Sequence, residues 1–314
     1  MTVEELYKEY LESKSHEVRQ SSLIKTRNCI EKGVIATLGS YKLGKLTSPV
    51  LQSWKNEMSR KGFSQTTLRN YYGEFRSMLN YAVKMDYLPK NPLTVLGNFK
   101  EGFSEKPQDK LHYYTIEQFK AFITEARKSA ESKDTITEWS YYVFFAIAFY
   151  TGARKGEIFA LKWSDIDGNI LHIRRSISQK CGNGDVETPP KNKSSYRDLQ
   201  IPDPLLEILS EHKKRQEADT RFNEDYRICG GIECIRDSSV TNKNNQYANA
   251  ANLPHIRVHD FRHTHATLLV NEGINIQEIA RRLGHSNVEI TWNTYSHLYP
   301  REEERAVNIL NKIK

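Results

Sequence analysis

Hydrophobic residues recur at helical spacing through the first 96 residues. The pattern predicts four helices: Val3 to Ser13, Leu23 to Leu38, Ser48 to Lys61 and Gln65 to Met85. In the longest of these helices the apolar residues share one face, whereas Arg69 and Arg76 lie off that face. This part of the chain is therefore predicted to be an all-helical, positively charged bundle.

The next segment, Gly97 to Lys110, is polar, contains two glycines and a proline, and shows no apolar period. Such a composition is typical of a connection between domains. We therefore predict a helical domain at residues 1–97, a linker at 98–111 and a second domain at 112–314.

The second domain begins with helical signals. Thr115 is placed to cap a helix that begins at Ile116, and Glu138 to Tyr150 predicts a helix that ends at Gly152. Two stretches that alternate like strands follow, Trp163 to Ser178 and Val186 to Ile201.

Short helices are predicted again from Val258 onward, and the chain closes with an amphipathic helix from Glu302 to Ile313. The predicted fold class is mostly α with a small antiparallel β-sheet.

The charge of the chain indicates a polyanionic partner. The net charge is +7, and residues 1–109 hold 17 basic against 12 acidic side chains, whereas the remainder holds 29 against 27. The excess favours a polyanion such as nucleic acid or an anionic membrane surface.

The longest apolar run, Tyr141 to Tyr150, is about half of what spans a bilayer. The start of the chain lacks the pattern of a secretion signal, so we expect a cytoplasmic protein.

Four cysteines are scattered along the chain, and the spacing of Cys229 and Cys234 has no matching second pair that would complete a zinc site. We interpret Cys29, Cys181, Cys229 and Cys234 as reduced thiols.

The segment HDFRHTH at residues 259–265 combines groups suited to phosphoryl chemistry. His259 and Arg262, three apart, share a helix face; an arginine fork matches two phosphate oxygens, and an imidazole exchanges protons near neutrality. A zinc site of His259 and His263 is an alternative, disfavoured because Arg262 would lie beside the cation. A core position is the other alternative, more apt for His263 and His265.

A second segment, LGHSNVE at residues 283–289, places His285 at a corner between two helices. Gly284 is expected to close one helix, and Ser286 with Glu289 to cap the next. Two short helices joined by a tight turn also suit a helix-turn-helix reader of the major groove. Tyr295, about two turns into the second helix, is uninformative by itself.

Two further basic residues are placed to contact an anion. Arg154, in TGARKGEI, falls at a helix start, where free N–H groups and the helix dipole favour negative charge. Lys191 is predicted at a hairpin tip that could reach into a groove.

Taken together, the order and spacing of Arg154, Lys191, His259, Arg262, His285 and Tyr295 resemble the signature of the tyrosine recombinase (phage integrase) family, which includes the integrases of phages and conjugative transposons of Gram-positive bacteria. The segments TGARKGEI, LKWSDID, HDFRHTHATLL, LGHS and TYSHLYP are similar to that family's motifs. The resemblance is strong from about residue 113 to 300. Over residues 3–96 it is looser and implies a SAM-like core-binding domain, which grips DNA. Asn192 departs from the pattern, where threonine is common.

The resemblance implies a chemistry. Arg154 and Arg262 would stabilise the transition state at a DNA phosphate, Tyr295 would attack to give a 3'-phosphotyrosine, and no cofactor or metal would be needed. His259 would assist proton removal, His285 would hydrogen-bond the phosphate, and Lys191 would protonate the leaving 5'-oxygen. Exchange of strands would pass through a Holliday junction.

The resemblance also implies partners: DNA recombination sites, a homotetramer on DNA joined by C-terminal tails in trans, and possible host factors for integration or excision. Many integrases carry a further N-terminal domain, so we expect a shorter recombinase or a trimmed chain. A helix-turn-helix regulator and a type IB topoisomerase remain as alternatives.

Lys25, Arg27, Arg69 and Arg76 are the candidate DNA contacts of the helical domain. We expect Arg76→Ala to lower DNA affinity evenly across sequences, because a phosphate contact carries no sequence information, and to flatten the slope of log affinity against log salt by about one unit. Binding titrations at several salt concentrations measure both effects. An unaltered slope would remove Arg76 from the set.

Overall fold

The structure, a computed structural model, describes residues 1–100, 111–179, 184–190, 193–299, 307–308 and 310–312. The chain divides into two compact units, residues 1–108 and 109–314. None of the described helices combines the length and the apolar composition that a bilayer crossing requires.

The first unit is entirely helical within the described residues apart from a single bridge between Thr2 and Lys42. Its helices are α1 (Val3–Ser15), α2 (Gln20–Ile30), α3 (Ala36–Leu38), α4 (Ser48–Arg60), α5 (Gln65–Lys84) and α6 (Leu93–Leu96). The four predicted helices are all present, with bounds that shift by a few residues.

The predicted helix from Leu23 to Leu38 is not uniform, because a π-helical stretch at Glu31–Ile35 separates α2 from α3. Gly33 lies in this stretch against α5, where a Cβ atom would come within 2.5 Å of the Tyr71 ring. The carbonyl of Gly33 accepts a hydrogen bond of 2.7 Å from the buried indole of Trp54. The glycine therefore permits the close packing on which the core of this unit is built.

The second unit contains the helices α7 (Ile116–Lys133), α8 (Ile136–Thr151), α9 (Lys155–Ala160), α10 (Asp203–Gln216), α11 (Asp237–Ala250), α12 (Asp260–Asn271), α13 (Ile276–Leu283) and α14 (Val288–Tyr295). Its strands are β1 (Ile166–Asp167), β2 (Ile170–Ile173), β3 (Ser176–Ser178), β4 (Val186–Thr188) and β5 (Arg197–Gln200). All described pairings between these strands are antiparallel, in the order β1-β2-β5 and, separately, β3-β4. The predicted fold class is confirmed, although the strands form two small sheets rather than one.

Helix α8 is the centre of the second unit. It is apolar on every side, as expected of a helix surrounded by protein, and packs against α7, α10 and α12. Phe149 stacks on Phe119 with ring centroids 3.5 Å apart.

Helix α8 ends at Gly152, as predicted, with a φ of +62°. A Cβ atom at Gly152 would lie 2.7 Å from the ring of His265, so the chain can turn toward Arg154 here only with glycine.

The predicted C-terminal helix, Glu302 to Ile313, lies mostly outside the described residues. Among its described residues, Val307 and Leu310 are exposed.

Candidate active site

Three arginines from distant parts of the chain converge on the last turn of α13. Arg197 Nε donates to the carbonyl of Arg282 at 2.7 Å, Arg262 Nη2 to that of Leu283 at 2.6 Å, and Arg154 Nη2 to that of Gly284 at 3.2 Å. These carbonyls lie at the negative end of the helix dipole, where cations are stabilising. The turn thus brings together Arg154 and Arg262, two of the predicted site residues, with a third arginine that was not predicted.

A buried carboxylate connects two of these arginines. Glu157 accepts hydrogen bonds from Arg197 Nη2 at 2.8 Å, and from the backbone N–H and Nη1 of Arg154 at 2.8 and 3.0 Å. Burial acts to raise the pKa of Glu157, but the charges and hydrogen bonds of Arg197 and Arg154 outweigh it and hold that pKa below its ordinary value. Glu157 is therefore ionised at neutral pH and fixes the guanidinium of Arg154.

Sequence reasoning missed both Glu157 and Arg197, although each left a signal. Glu157 follows Arg154 by three residues at a helix start, the spacing at which a side chain returns to the first turn. Arg197 and Leu199 both lie on the inward face of β5, and a charge at an inward position requires a buried partner.

Among the predicted catalytic cations that the structure describes, Arg262 is the more deeply enclosed, with 4% of its surface exposed. Besides Leu283, it donates from Nη1 to the carbonyl of Gly152 at 2.8 Å, so one guanidinium joins the ends of α8 and α13. Burial, with the charges of Arg154 and Arg197, lowers its pKa to about 9. The group stays positively charged at neutral pH.

His259 occupies the N-cap position of α12, in a turn closed by Asp260. The buried Asp260 carboxylate accepts hydrogen bonds from the backbone N–H of Arg257 at 2.8 Å and from its guanidinium Nη2 at 3.0 Å. The His259 ring itself is exposed at the surface.

His285 follows α13 and shares a hydrogen bond of 2.8 Å between its Nδ1 and the buried hydroxyl of Thr291. The predicted capping of the next helix by Ser286 is wrong. Asn287 is the N-cap residue of α14, and its side chain accepts from the backbone N–H of Glu289 at 3.0 Å. Asn287, with its extended backbone, leaves His285 and Ser286 in the connection between the two helices.

The pKa values of both histidines are lowered, mainly by desolvation and further by neighbouring charges. Desolvation by the surrounding protein atoms, with the charges of His263 and Arg262, lowers the pKa of His259 to about 4. Burial, Arg262 and Arg154 lower the pKa of His285 to about 4 as well. The two imidazoles are therefore neutral at pH 7, and the positive charge of the nearby arginines favours an anion at this site.

Tyr295, the last residue of α14, is 1% exposed. Its ring packs in a cluster with Ala266, Val270, Ile279 and Leu283. Its hydroxyl lies 2.6 Å from Nδ1 of His263, at hydrogen-bond distance. Burial raises the pKa of Tyr295 to about 12, against the opposing charge of Arg262. The hydroxyl is protonated and covered in this structure.

The other two histidines of the 259–265 segment differ in burial and in their hydrogen-bond partners. His265 is a core residue whose Nδ1 lies 2.8 Å from the carbonyl of Phe149, and burial lowers its pKa to about 3. His263 is half-buried and contacts Tyr295. The part of the chain that the structure describes contains no group of three histidine, cysteine or acidic side chains that could hold a metal ion.

Lys191 lies outside the described residues. Its predicted place at a hairpin tip therefore stays a prediction. In the helical unit, the candidate DNA contacts Lys25 and Arg27 on α2 and Arg69 and Arg76 on α5 are exposed.

Two family models match the chain. Residues 113–302 match the phage integrase family, and residues 2–59 match the N-terminal SAM-like domain of phage integrases. The first match covers more than half of the chain, including every predicted catalytic residue.

Curated relatives agree with these matches. The chain is 31% identical over 301 residues to a tyrosine recombinase XerC-like protein of Caldanaerobacter subterraneus subsp. tengcongensis, covering 88% of this chain and 73% of the relative. It is 30% identical over 285 residues to the ICEBs1 integrase of Bacillus subtilis, covering 86% of this chain and 72% of the relative. The chain therefore belongs to the phage integrase family, and it is a DNA strand-transferring enzyme of the tyrosine recombinase class, a site-specific integrase.

Solved structures share the fold. The integrase of the Tn1549 transposon, in complex with a circular intermediate DNA, superposes with a TM-score of 0.77 over 100% of both chains at 19% identity. A lambda integrase tetramer bound to a Holliday junction superposes with a TM-score of 0.66, covering 96% of this chain and 78% of that one at 17% identity.

Replacing Glu157 with Gln tests the buried connection between the arginines. We expect Glu157→Gln to lower the free energy of unfolding by about 3 kcal/mol, because it leaves Arg197 buried without its counter-charge. The pKa of Glu157 is lowered in the folded protein, so its stabilisation is complete above the unfolded value and is lost as the pH falls through the folded value. The variant should lose that part of the acid sensitivity. Urea unfolding at several pH values measures both effects.

Glu278→Gln is the matched control, because Glu278 pairs with Arg281 at the surface with both side chains about half exposed. It should change the stability by less than about 1 kcal/mol. Equal losses in the two variants would contradict the assigned role of Glu157.

Proposed function

We propose that the chain cleaves and rejoins DNA by attack of Tyr295 on a phosphodiester held between Arg154 and Arg262. The observation that carries this proposal is the meeting of the two guanidinium groups on the consecutive carbonyls of Leu283 and Gly284, immediately before His285. No metal ion is required, because fixed cations supply the positive charge. No ATP is required, because the phosphotyrosine keeps the energy of the broken phosphodiester.

The arginines act by electrostatic stabilisation. Attack on a phosphodiester gives a pentacoordinate transition state with more negative charge on its non-bridging oxygens than the ground state has. Guanidinium groups already held in place by Glu157 and by backbone carbonyls need little reorganisation when that charge develops. The carbonyl contacts fix the two cations before DNA arrives.

Desolvation and the positive charges around them keep both histidines neutral before DNA binds. A bound phosphate offsets these charges, so its arrival raises the pKa of both imidazoles. His259 then assists removal of the phenolic proton, and His285 donates a hydrogen bond to a phosphate oxygen.

Cleavage conserves the energy of the phosphodiester. The oxygen of Tyr295 bonds to phosphorus, the 5'-oxygen leaves and takes a proton from Lys191, and a 3'-phosphotyrosine remains. The 5'-hydroxyl of a second strand then attacks the same phosphorus and releases Tyr295. Two such exchanges pass through a Holliday junction, and their outcome is integration or excision of a mobile element.

The helical domain, residues 1–97, is proposed to grip the DNA with Lys25, Arg27, Arg69 and Arg76, and residues 98–111 to link it to the catalytic domain, 112–314. Most of the linker, 101–110, lies outside the described residues. Host factors that bias the direction of recombination, and action at the bacterial nucleoid, belong to the same proposal.

We infer that the active assembly is a homotetramer on DNA whose C-terminal tails dock on neighbouring subunits. Apolar side chains exposed in the single chain support this inference, since such surfaces mark protein interfaces. They are Ile290 and Trp292 on α14, and Val307 and Leu310 in the tail. The likeness to the lambda integrase tetramer supports the same stoichiometry.

A nicked suicide substrate tests the nucleophile. The wild-type protein should form a denaturant-resistant adduct with DNA that carries the crossover site, because the cleaved strand diffuses away and religation fails. Tyr295→Phe should abolish the adduct, as seen on denaturing gels and by mass spectrometry of the labelled peptide. Tyr299→Phe, four residues further on, is the control and should retain it. An adduct with Tyr295→Phe would rule out the assignment, and relaxation of plasmids without a target site would favour a topoisomerase.

Deleting residues 303–314 tests the tail. Half-site binding should remain, because the DNA-contacting residues are intact, whereas assembly of two sites into a synaptic complex should fall steeply. Gel-shift assays with one and two half-sites, together with recombination between plasmids, measure the two steps. Unchanged recombination by the truncated protein would refute docking in trans.

A further inference from the structure

The Tyr295 hydroxyl and the His263 imidazole form a contact that the proposed chemistry does not use. The phenolic oxygen lies 2.6 Å from Nδ1, and the two ring centroids are 5.7 Å apart with planes inclined by 54°. His263 is not one of the six residues assigned to catalysis. Its role has to follow from what it does to Tyr295.

The direction of the hydrogen bond depends on which nitrogen of the neutral His263 ring carries the proton. Burial lowers the pKa of His263, so the ring is neutral at pH 7 and Nδ1 can carry a lone pair. Tyr295 is protonated, since its pKa is raised to about 12. In the tautomer that carries its proton on Nε2, the phenol donates and Nδ1 accepts, so the proton that has to leave before attack is engaged in this hydrogen bond.

Tyr295 cannot reach a phosphate from this position. Bond formation requires phosphorus to approach the phenolic oxygen directly, but 1% of the residue is exposed and its ring is enclosed by Ala266, Val270, Ile279 and Leu283. The hydroxyl must leave this cluster before it can attack. Whatever holds the hydroxyl there delays the first chemical step.

We propose that His263 is a positioning residue that holds the Tyr295 hydroxyl in its buried place in the DNA-free protein, so that cleavage requires this hydrogen bond to break. The proposal rests on the proposed role of Tyr295 as nucleophile. His263 follows Arg262 directly, so the group that binds phosphate and the group that restrains the nucleophile lie on one turn of α12.

Two substitutions at position 263 separate hydrogen bonding from packing. In His263→Asn the amide oxygen can take the place of Nδ1 and keep an acceptor. In His263→Leu the volume is largely kept and the acceptor is lost. Circular dichroism checks that both full-length proteins are folded. If the leucine variant is not folded, His263→Met replaces it as a variant without a nitrogen or oxygen acceptor.

The first measurement is nitration of the DNA-free protein by tetranitromethane, quantified by mass spectrometry of the peptide containing Tyr295. Losing one ordinary hydrogen bond should raise the open population about fivefold. We expect His263→Leu to raise Tyr295 nitration by about that factor, with nitration of Tyr150 unchanged as the internal reference. His263→Asn should behave as the wild type does.

The second measurement is single-turnover cleavage of the nicked suicide substrate. We expect His263→Leu to form the adduct about fivefold faster and His263→Asn to match the wild type. Unchanged nitration in His263→Leu overturns the proposal. Raised nitration with slower cleavage also overturns it, because His263 would then assist the reaction.

The two proposals fail in different ways. If Tyr295 is not the nucleophile, Tyr295→Phe still forms the adduct, while nitration continues to report the hydrogen bond to His263. If only the restraint is wrong, Tyr295→Phe abolishes the adduct and the leucine variant shows no gain in nitration or cleavage rate.

Discussion

The last turn of α13 presents three consecutive carbonyl groups, and the site depends on how they are satisfied. Carbonyls at a helix end have no partner within the helix, and the dipole makes this end negative. Arg197, Arg262 and Arg154 fill the three positions in order. Gly284, with a φ of +67°, lets the chain leave the helix where a Cβ atom would lie 3.0 Å from the Arg197 guanidinium. One helix end thus aligns cations from β5, α12 and the start of α9.

Such an arrangement carries more positive than negative charge, and this excess contributes to the protonation state of the neighbouring groups. Glu157 offsets part of it and stays ionised although it is buried. Desolvation, together with this excess of positive charge, keeps His259 and His285 neutral. A phosphodiester carries the negative charge that would offset this excess. The guanidinium groups are therefore already held where they can bind a phosphate, whereas the hydroxyl of Tyr295 is buried.

Much of this could be predicted from single residues and their spacing. The helices of the first unit, the end of α8 at Gly152 and the helix start at Arg154 follow from local rules, because helix periods and caps depend on neighbours within a few residues. Arg197 and Glu157 could not be assigned in this way, since a buried ion pair joins residues 40 apart in sequence. The cap at Asn287 was misplaced by one residue, because Ser286 and Asn287 are both good caps and only the backbone conformation chooses between them.

The sequence by itself determined the class of the protein, its order of elements and the residue types available for phosphoryl chemistry, since these depend on local pattern and on motif spacing. The tertiary structure alone decided which side chains share an environment. It placed Arg154 and Arg262 on adjacent carbonyls, buried Glu157 between two arginines and put the Tyr295 hydroxyl against His263 rather than in solvent. Contacts of this kind form between elements far apart in the chain, and burial sets the protonation of the groups that meet there.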